Sequence, residues 1–343
     1  MLRSLVVLLF LFPALQAADL DVLLPENSEQ VTYVNVKRLA ASTIVKTMLM
    51  KEIKERLKET EVPKWLKVAG IEPWKDIDTI SMAVNQPRPN RKDAADKKAD
   101  EEVDPQKKRS EVQMFFIMRG KFDGEKFFAT AEKAIADFGD IVSMVKEDGL
   151  RMVRIKGKNG PEFFITMVDE QTIVGATKTQ LLHDAVKQAD KKEAKPAVKQ
   201  ELAALVKTLD DKAVFYQAQV IDGKDVAEGL RENPLTDDLD TLKKQVAEMT
   251  SYSLTARVDS EVAFEFSTAM KTKAAAEEFG ETAKGMVEKG RGLLPLLAAT
   301  AKEFTSIVND LKKHMKVTVT GDIVKLSARI TGNSIGQAFG VEE

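Results

Sequence analysis

The pattern of strands and helices in this 343-residue chain is written twice, once over about residues 31–189 and again from residue 213 to the C-terminus. Each half predicts a strand, a helix, two strands, another helix and a closing set of two or three strands. Clean alternation of apolar and polar residues is typical of antiparallel sheets with one solvated face. We therefore predict an α+β fold of two related modules, each a mainly antiparallel sheet with helices packed on one face.

The first residues have the layout of a secretory signal peptide. Arg3 precedes an apolar run over residues 5–15, and the small residues Ala17 and Ala18 follow. The run is shorter than the roughly 20 apolar residues that span a bilayer, although an uncleaved N-terminal anchor is the alternative. We expect cleavage after Ala17, no transmembrane span in the mature chain, and export to the periplasm or the medium. The predicted organisation is a signal peptide at 1–17, a first module at 18–190, a connecting helix at 191–212 and a second module at 213–343.

A charged segment at residues 86–110 interrupts the first module. It holds three prolines, no aromatic residue and fourteen charged residues of both signs. Such a segment cannot bury enough apolar surface to offset its ordering entropy, so the composition predicts a disordered insert. The strands before and after it, at 79–84 and 112–118, are expected to pair as a hairpin.

Composition excludes several classes of chemistry. The chain has no cysteine, which excludes disulfides, thiol nucleophiles, thiolate metal sites and lipidation of a processed N-terminal cysteine. Its formal charge of −2 comes without a basic stripe interleaved with aromatic residues, and no nucleic-acid partner is predicted. An exported chain of this kind must be stabilised by a packed core.

Two short segments around the first predicted helix resemble secreted bacterial families of unknown function. The first is Leu24-Pro25-Glu26-Asn27-Ser28 followed by the strand at 31–36, and the second is the Gly-Ile-Glu-Pro-Trp-Lys-Asp-Ile-Asp run at 70–78. The resemblance covers chiefly residues 24–85. It implies an exported α+β protein and assigns no catalytic residue. We interpret residues 24–27 as an exposed lead-in to the first strand.

Candidate catalytic and metal-binding patterns are scarce. His183 and His314 lack Glu-x-x-His or His-x-His spacing, so we interpret both as structural residues and predict no metal site. No Gly-x-Ser-x-Gly elbow accompanies them, although triads assemble in space and a local motif is not required. Paired carboxylates for glycosidic cleavage stay open on the same ground, against few aromatic residues to stack on sugars. No catalytic residue and no cofactor are predicted.

Two further patterns receive structural interpretations. The glycine-rich run at 285–292 lacks the Gly-Lys-Ser/Thr ending of a phosphate loop, so we interpret it as part of a helix that breaks around Gly290, Gly292 and Pro295. The acidic cluster Asp237, Asp238 and Asp240 lacks calcium-loop spacing and favours the start of a helix.

Five large apolar residues are candidates for a partner or ligand patch: Trp65, Trp74, Leu293, Leu294 and Leu296. The tryptophans flank one predicted turn, where a plug over the core is the alternative to a binding patch. The leucines lie at the predicted helix break, where burial between the two modules is favoured over an exposed patch, since large exposed patches are uncommon on soluble proteins.

The function that this sequence favours is a non-enzymatic binding or structural module of the periplasm or cell envelope, with a protein or envelope partner. A hydrolase with an active site between the modules is one alternative. It would require a histidine bonded to a carboxylate and a hydroxyl in one cleft. Association with a membrane surface is another alternative, testable by co-sedimentation with vesicles.

Overall fold

The structure is a computed structural model that describes residues 18, 20–26, 28–58, 70–85, 112–157, 161–191, 195–230 and 238–340. The signal-peptide, charged-insert and Trp65 predictions fall on residues 1–17, 86–110 and 65, which lie outside the described residues. The described part is an α+β fold, as predicted from the alternating strand patterns.

The strands of the described residues form one antiparallel sheet. They are β1 (Gln30–Asn35), β2 (Ile77–Asn85), β3 (Gln113–Gly120), β4 (Val142–Glu147), β5 (Leu150–Ile155), β6 (Phe163–Asp169), β7 (Thr172–Ala176), β8 (Phe215–Val220), β9 (Met249–Val258), β10 (Glu261–Met270), β11 (Lys316–Thr320) and β12 (Ile323–Thr331). The order across the sheet is β11-β12-β10-β9-β8-β1-β2-β3-β7-β6-β5-β4. The predicted pairing of β2 with β3 across the charged segment is confirmed.

Helices connect and cover these strands. They are α1 (Val36–Ala41), α2 (Met50–Lys58, after a π-helical turn at Val45–Leu49), α3 (Pro73–Asp76), α4 (Gly124–Phe138), α5 (Thr179–Ala189), α6 (Gln200–Val206), α7 (Gly223–Gly229), α8 (Leu239–Val246), α9 (Lys273–Thr300), α10 (Thr305–His314, after a 3₁₀ turn at Lys302–Phe304) and α11 (Gly332–Ala338). Asp238 is the N-cap of α8 and accepts a hydrogen bond from the Thr241 amide, which places the predicted capping role on that aspartate.

The two halves of the chain meet at the centre of the sheet, where β1 pairs with β8. Outward from β1 the order is β2, β3, β7, β6, and outward from β8 it is β9, β10, β12, β11. The order of the first five strands therefore matches on the two sides of the seam, and β5 and β4 extend the β1 side further. Tyr33 and Tyr216 pair directly at this seam, and their rings stack with centroids 4.9 Å apart. Burial raises the pKa of the Tyr33 phenol, although a hydrogen bond with Asn35 and the charge of Arg38 oppose the shift.

The first half of the sheet carries an apolar cluster on each face. Phe115 and Ile117 belong to a cluster with α5 and α6, whereas Phe116 and Met118 pack with α4 on the opposite face. Because successive strand residues point to opposite faces, alternation here separates two cores. Among the described residues of the second half, Met270 and Val324 pack in an apolar cluster with α7, α8 and α9.

The segment before β1 is part of the apolar cluster that contains Phe115 and Ile117. Leu24 is only 2% exposed, so its interpretation as part of an exposed lead-in is wrong. Asp21 accepts two hydrogen bonds from the guanidinium of Arg119, at 2.8 and 2.9 Å, and Arg119 also donates to the Thr172 hydroxyl at 2.6 Å. Hydrogen bonding to Asp21 raises the pKa of Arg119, against the effect of its burial. This bidentate pair fixes the segment across β3, which directs Leu24 inward.

The predicted break near residue 290 is also wrong, because α9 continues from Lys273 to Thr300 with Pro295 inside it. Its first half packs against β11 so closely that a Cβ at Gly280 would overlap Val319. Each interior glycine costs about 1 kcal/mol and a proline about 3 kcal/mol of helix propensity. Tertiary packing of the preceding turns outweighs that cost.

Candidate functional site

α9 and α10 follow one another, joined by the 3₁₀ turn at Lys302–Phe304, and contact each other as a helical hairpin. Arg291, on α9, donates a hydrogen bond to the carbonyl of Met315, directly before β11. Arg291 also pairs with Glu288 at 2.5 Å. The arginine therefore fastens the middle of α9 to the sheet, and the turns after it extend past that anchor.

Three large apolar side chains are exposed near the end of this hairpin. Leu293 is 43% exposed and Leu296 is 64% exposed, and Phe304 in the connection to α10 is 41% exposed. We refer to these three residues as the hairpin tip. Leu293 and Leu296 are three residues apart and so share one face of α9. The favoured interpretation, burial of these leucines between the modules, is therefore wrong for both.

The remaining residues of the predicted patch lie elsewhere or are less open. Leu294 is half-buried on α9. Trp74 is half-buried and packs against the apolar cluster of α4, beside the first module's sheet. Trp65 lies outside the described residues. The structure thus leaves the leucines of α9 apart from Trp74.

A polar concavity of about 360 Å³ lies on the sheet of the second half. Two ion pairs line it, Arg257 with Asp210 at 3.3 Å and Arg329 with Glu261 at 3.4 Å, and Glu265 in its lining pairs with Lys325 at 2.7 Å. Exposed pairs of this kind contribute little to stability, about 0–1 kcal/mol each. Each of these three cations faces an anion, so this surface fits the solvated sheet face predicted from alternation.

His314 borders the same concavity. Its Nδ1 lies 3.4 Å from the guanidinium of Arg329. Within the described residues, the ring therefore lies beside a cation and not beside the hydroxyl that a catalytic triad would require. One turn earlier, the Asp310 carboxylate accepts hydrogen bonds from the Thr331 amide at 2.8 Å and hydroxyl at 2.7 Å. Burial raises the pKa of Asp310, but hydrogen bonds from Ser334 and Thr331 outweigh it and lower that pKa overall. Thr331 is the N-cap of α11, so this network has a structural explanation.

His183 lies beside two carboxylates that the sequence places far from it. Ligand atoms of Glu147, Asp148 and His183 all lie within 4.8 Å of one another. Nε2 of His183 is buried and has no hydrogen-bond partner in the described structure. The residue spacing gave no indication of this cluster, because Glu147 and Asp148 belong to the turn between β4 and β5 and His183 to α5.

Comparisons with known proteins identify no family for this chain. No family model matches it, and no curated protein matches it. The crystal form I structure of TP0453 aligns with 95% of this chain and 99% of that chain, at a TM-score of 0.43 and 9% sequence identity. A likeness at this level carries no argument about site, partner or activity. Within the described residues, no helix is both long and apolar enough to cross a membrane.

Proposed function

We propose that this chain is an exported, non-enzymatic binding module of the cell envelope that contacts its partner through the hairpin tip. The observation that supports the proposal is the exposure of Leu293 and Leu296 on one face of α9, with Phe304 exposed in the connection that follows the helix. Large apolar side chains in water are unfavourable, and neighbouring exposed ones are characteristic of interaction sites. The signal-peptide pattern of residues 1–17 supports export.

The free energy gained by burying the side chains of the hairpin tip is sufficient for a specific contact but not for a permanent one. Fully burying a large apolar side chain contributes about 1.5–3 kcal/mol. Scaled by the exposed fractions of the three side chains, covering the tip would contribute roughly 2–4 kcal/mol before the cost of association. Polar contacts around the tip must therefore supply the rest of the affinity. A reversible partner contact fits this magnitude better than an obligate interface, which is usually larger and more apolar.

Site-specific photo-crosslinking in the cell envelope of the source organism tests the proposal. A photoreactive amino acid at Leu296 is expected to give a discrete crosslinked product. The matched control is Val226 on α7, another exposed apolar residue at 37%. The product should be absent from the control and lost when Leu293→Ser is combined with the crosslinker. Equal products at both positions, or none at Leu296, would contradict the proposal.

Vesicle co-sedimentation separates a partner protein from a lipid surface. Mature protein is mixed with neutral and with anionic phospholipid vesicles, beside the Leu293→Ser/Leu296→Ser double variant. Binding by the wild type alone would replace the protein partner with a membrane surface, the alternative left open by the sequence. Absence of binding to both vesicle types, together with a discrete crosslink at Leu296, supports the protein partner.

A further inference from the structure

The turn between β4 and β5 presents two carboxylates on a rigid backbone. Glu147 is the last residue of β4 and pairs with Leu150, so the connection is the two residues Asp148 and Gly149. Asp148 has φ of 47° and Gly149 has φ of 83°. Positive φ at both central residues is the geometry of a type I′ hairpin turn, in which the flanking strands fix the loop. The two carboxylates therefore start from a well-defined backbone position.

His183 is held against this turn by a helix anchored in the core. It lies on α5 next to Leu182, which is fully buried, and two residues before Ala185, which is 3% exposed. At the start of the same helix, the Thr179 hydroxyl donates to the Glu147 carboxylate at 3.5 Å. The turn and the helix are thus in contact at two places. The three side chains come from elements that need not move to meet.

The distances suit a small divalent ion. In a four-coordinate site with ligand bonds of about 2.0–2.2 Å, the ligand atoms lie about 3.3–3.6 Å from one another. The ligand atoms of Glu147, Asp148 and His183 are already within 4.8 Å. Both carboxylates are exposed, so rotation of their side chains can close the remaining distance without moving the backbone.

The imidazole of the cluster also carries an unpaired polar atom. Nε2 of His183 is buried and makes no hydrogen bond in the described structure. Leaving a buried polar atom unpaired costs about 1–3 kcal/mol, and an ion or water at the ring is a common explanation for such an atom. Two carboxylates with no cation bonded to them in this cluster would also repel each other, and a divalent ion would neutralise both.

We propose that Glu147, Asp148 and His183 bind a divalent transition-metal ion of the Zn²⁺ class, with a remaining coordination position open to solvent. One imidazole nitrogen and two carboxylate oxygens suit Zn²⁺, Co²⁺ or Mn²⁺, whereas Ca²⁺ and Mg²⁺ prefer oxygen ligands alone. The site lies in the first module, on elements other than the helical hairpin, and stands independently of the function proposed for the tip.

The histidine content of the chain gives a sharp test. There are two histidines in the sequence, His183 and His314. Their imidazole nitrogens give separate long-range ¹H–¹⁵N correlations, assigned with His183→Gln and His314→Gln. Titration of the mature protein with Zn²⁺ should shift the His183 signals with one-to-one stoichiometry. The His314 signals should stay unchanged, because Arg329 lies beside that ring.

Calorimetric titration of ligand variants completes the test. Glu147→Gln and Asp148→Asn keep side-chain shape, and asparagine tolerates the positive φ at position 148. Each of these variants, and His183→Gln, should weaken Zn²⁺ binding at least tenfold, since each removes one of three ligands. The control His314→Gln should bind as the wild type does. Far-UV circular dichroism confirms that the variants fold.

Two results would overturn the site. One is Zn²⁺ binding of unchanged affinity in a folded His183→Gln variant. The other is a titration in which the His183 signals stay fixed while stoichiometric Zn²⁺ is added. Neither result bears on the hairpin tip, whose crosslink at Leu296 is measured without added metal.

Discussion

A matched pair of leucine substitutions tests two positions at which the structure differs from the sequence predictions, Leu24 and Leu296. Leu24, in the segment before β1, is 2% exposed, whereas Leu296, at the hairpin tip, is 64% exposed. Leu24→Ala and Leu296→Ala make the same chemical change in opposite environments. The structure therefore predicts very different effects on the free energy of unfolding.

The expected magnitudes follow from burial. Leu→Ala at a buried site loses the transfer free energy of the deleted carbons and leaves a cavity, with total costs of about 2–5 kcal/mol. Leu24 lies close to the N-terminal end of the described residues, where the backbone can relax toward the cavity. We therefore expect about 3 kcal/mol for Leu24→Ala. Leu296 is mostly in water already, and its truncation should change stability by no more than about 0.5 kcal/mol.

Equilibrium urea unfolding of the mature protein, followed by far-UV circular dichroism, measures both values. An unchanged dependence on urea would show that the variants differ from the wild type in stability alone. A Leu24→Ala variant as stable as the wild type would refute the assignment of the first residues to the core. Strong destabilisation by Leu296→Ala would show that the tip is packed against the rest of the protein. That result would refute the proposed binding surface.

Three further predictions concern the core, the pH dependence and processing. Gly175→Ala would bring a Cβ into the ring of Phe116 on the neighbouring strand, so unfolding should be easier by about 1–3 kcal/mol, and pairing it with Phe116→Leu should restore part of the loss in urea titrations. The lowered pKa of Asp310 stabilises the fold above its ordinary value of 3.8, and this stability is lost as pH falls through the folded-state value. Asp310→Asn should therefore flatten the acid limb of the stability profile, by under about 1 kcal/mol since the group is mostly in water; an unchanged limb would exclude that role. Mass spectrometry of the protein recovered from outside the cytoplasm should give a mature N-terminus at Ala18, and an intact Met1 in that fraction would contradict the proposed cleavage.

Local patterns were sufficient for the strands of the sheet that alternate cleanly. In β12, Val324 and Leu326 alternate with Lys325 and Ser327 in sequence, and the observed strand spans these residues. β4 was missed because Val142–Glu147 is short and mixed in character, although the Asp-Gly pair after it is a strong hairpin signal. That dipeptide, and not the alternation, indicates both the strand and its turn.

Long-range contacts explain what the patterns could not predict. Leu24 directly precedes the turn-forming and polar residues at 25–27, and its burial depends on helices α5 and α6 much later in the chain. The cluster at His183 has the same origin, since a turn and a helix bring its members together only in three dimensions. The continuity of α9 through Pro295 is a third case, in which packing against β11 overrides local propensity.

The seam between β1 and β8 has a consequence for folding during synthesis. β1 is made early, but the strand that covers its outer edge, β8, follows the whole first half of the chain. Until residues 215–220 emerge, the first half presents an open strand edge with unpaired amides and carbonyls, which other chains can join. The chain thus passes through an interval of vulnerability to intermolecular pairing that ends only when its second half arrives. A holding chaperone, or rapid delivery of the second half, would shorten that interval.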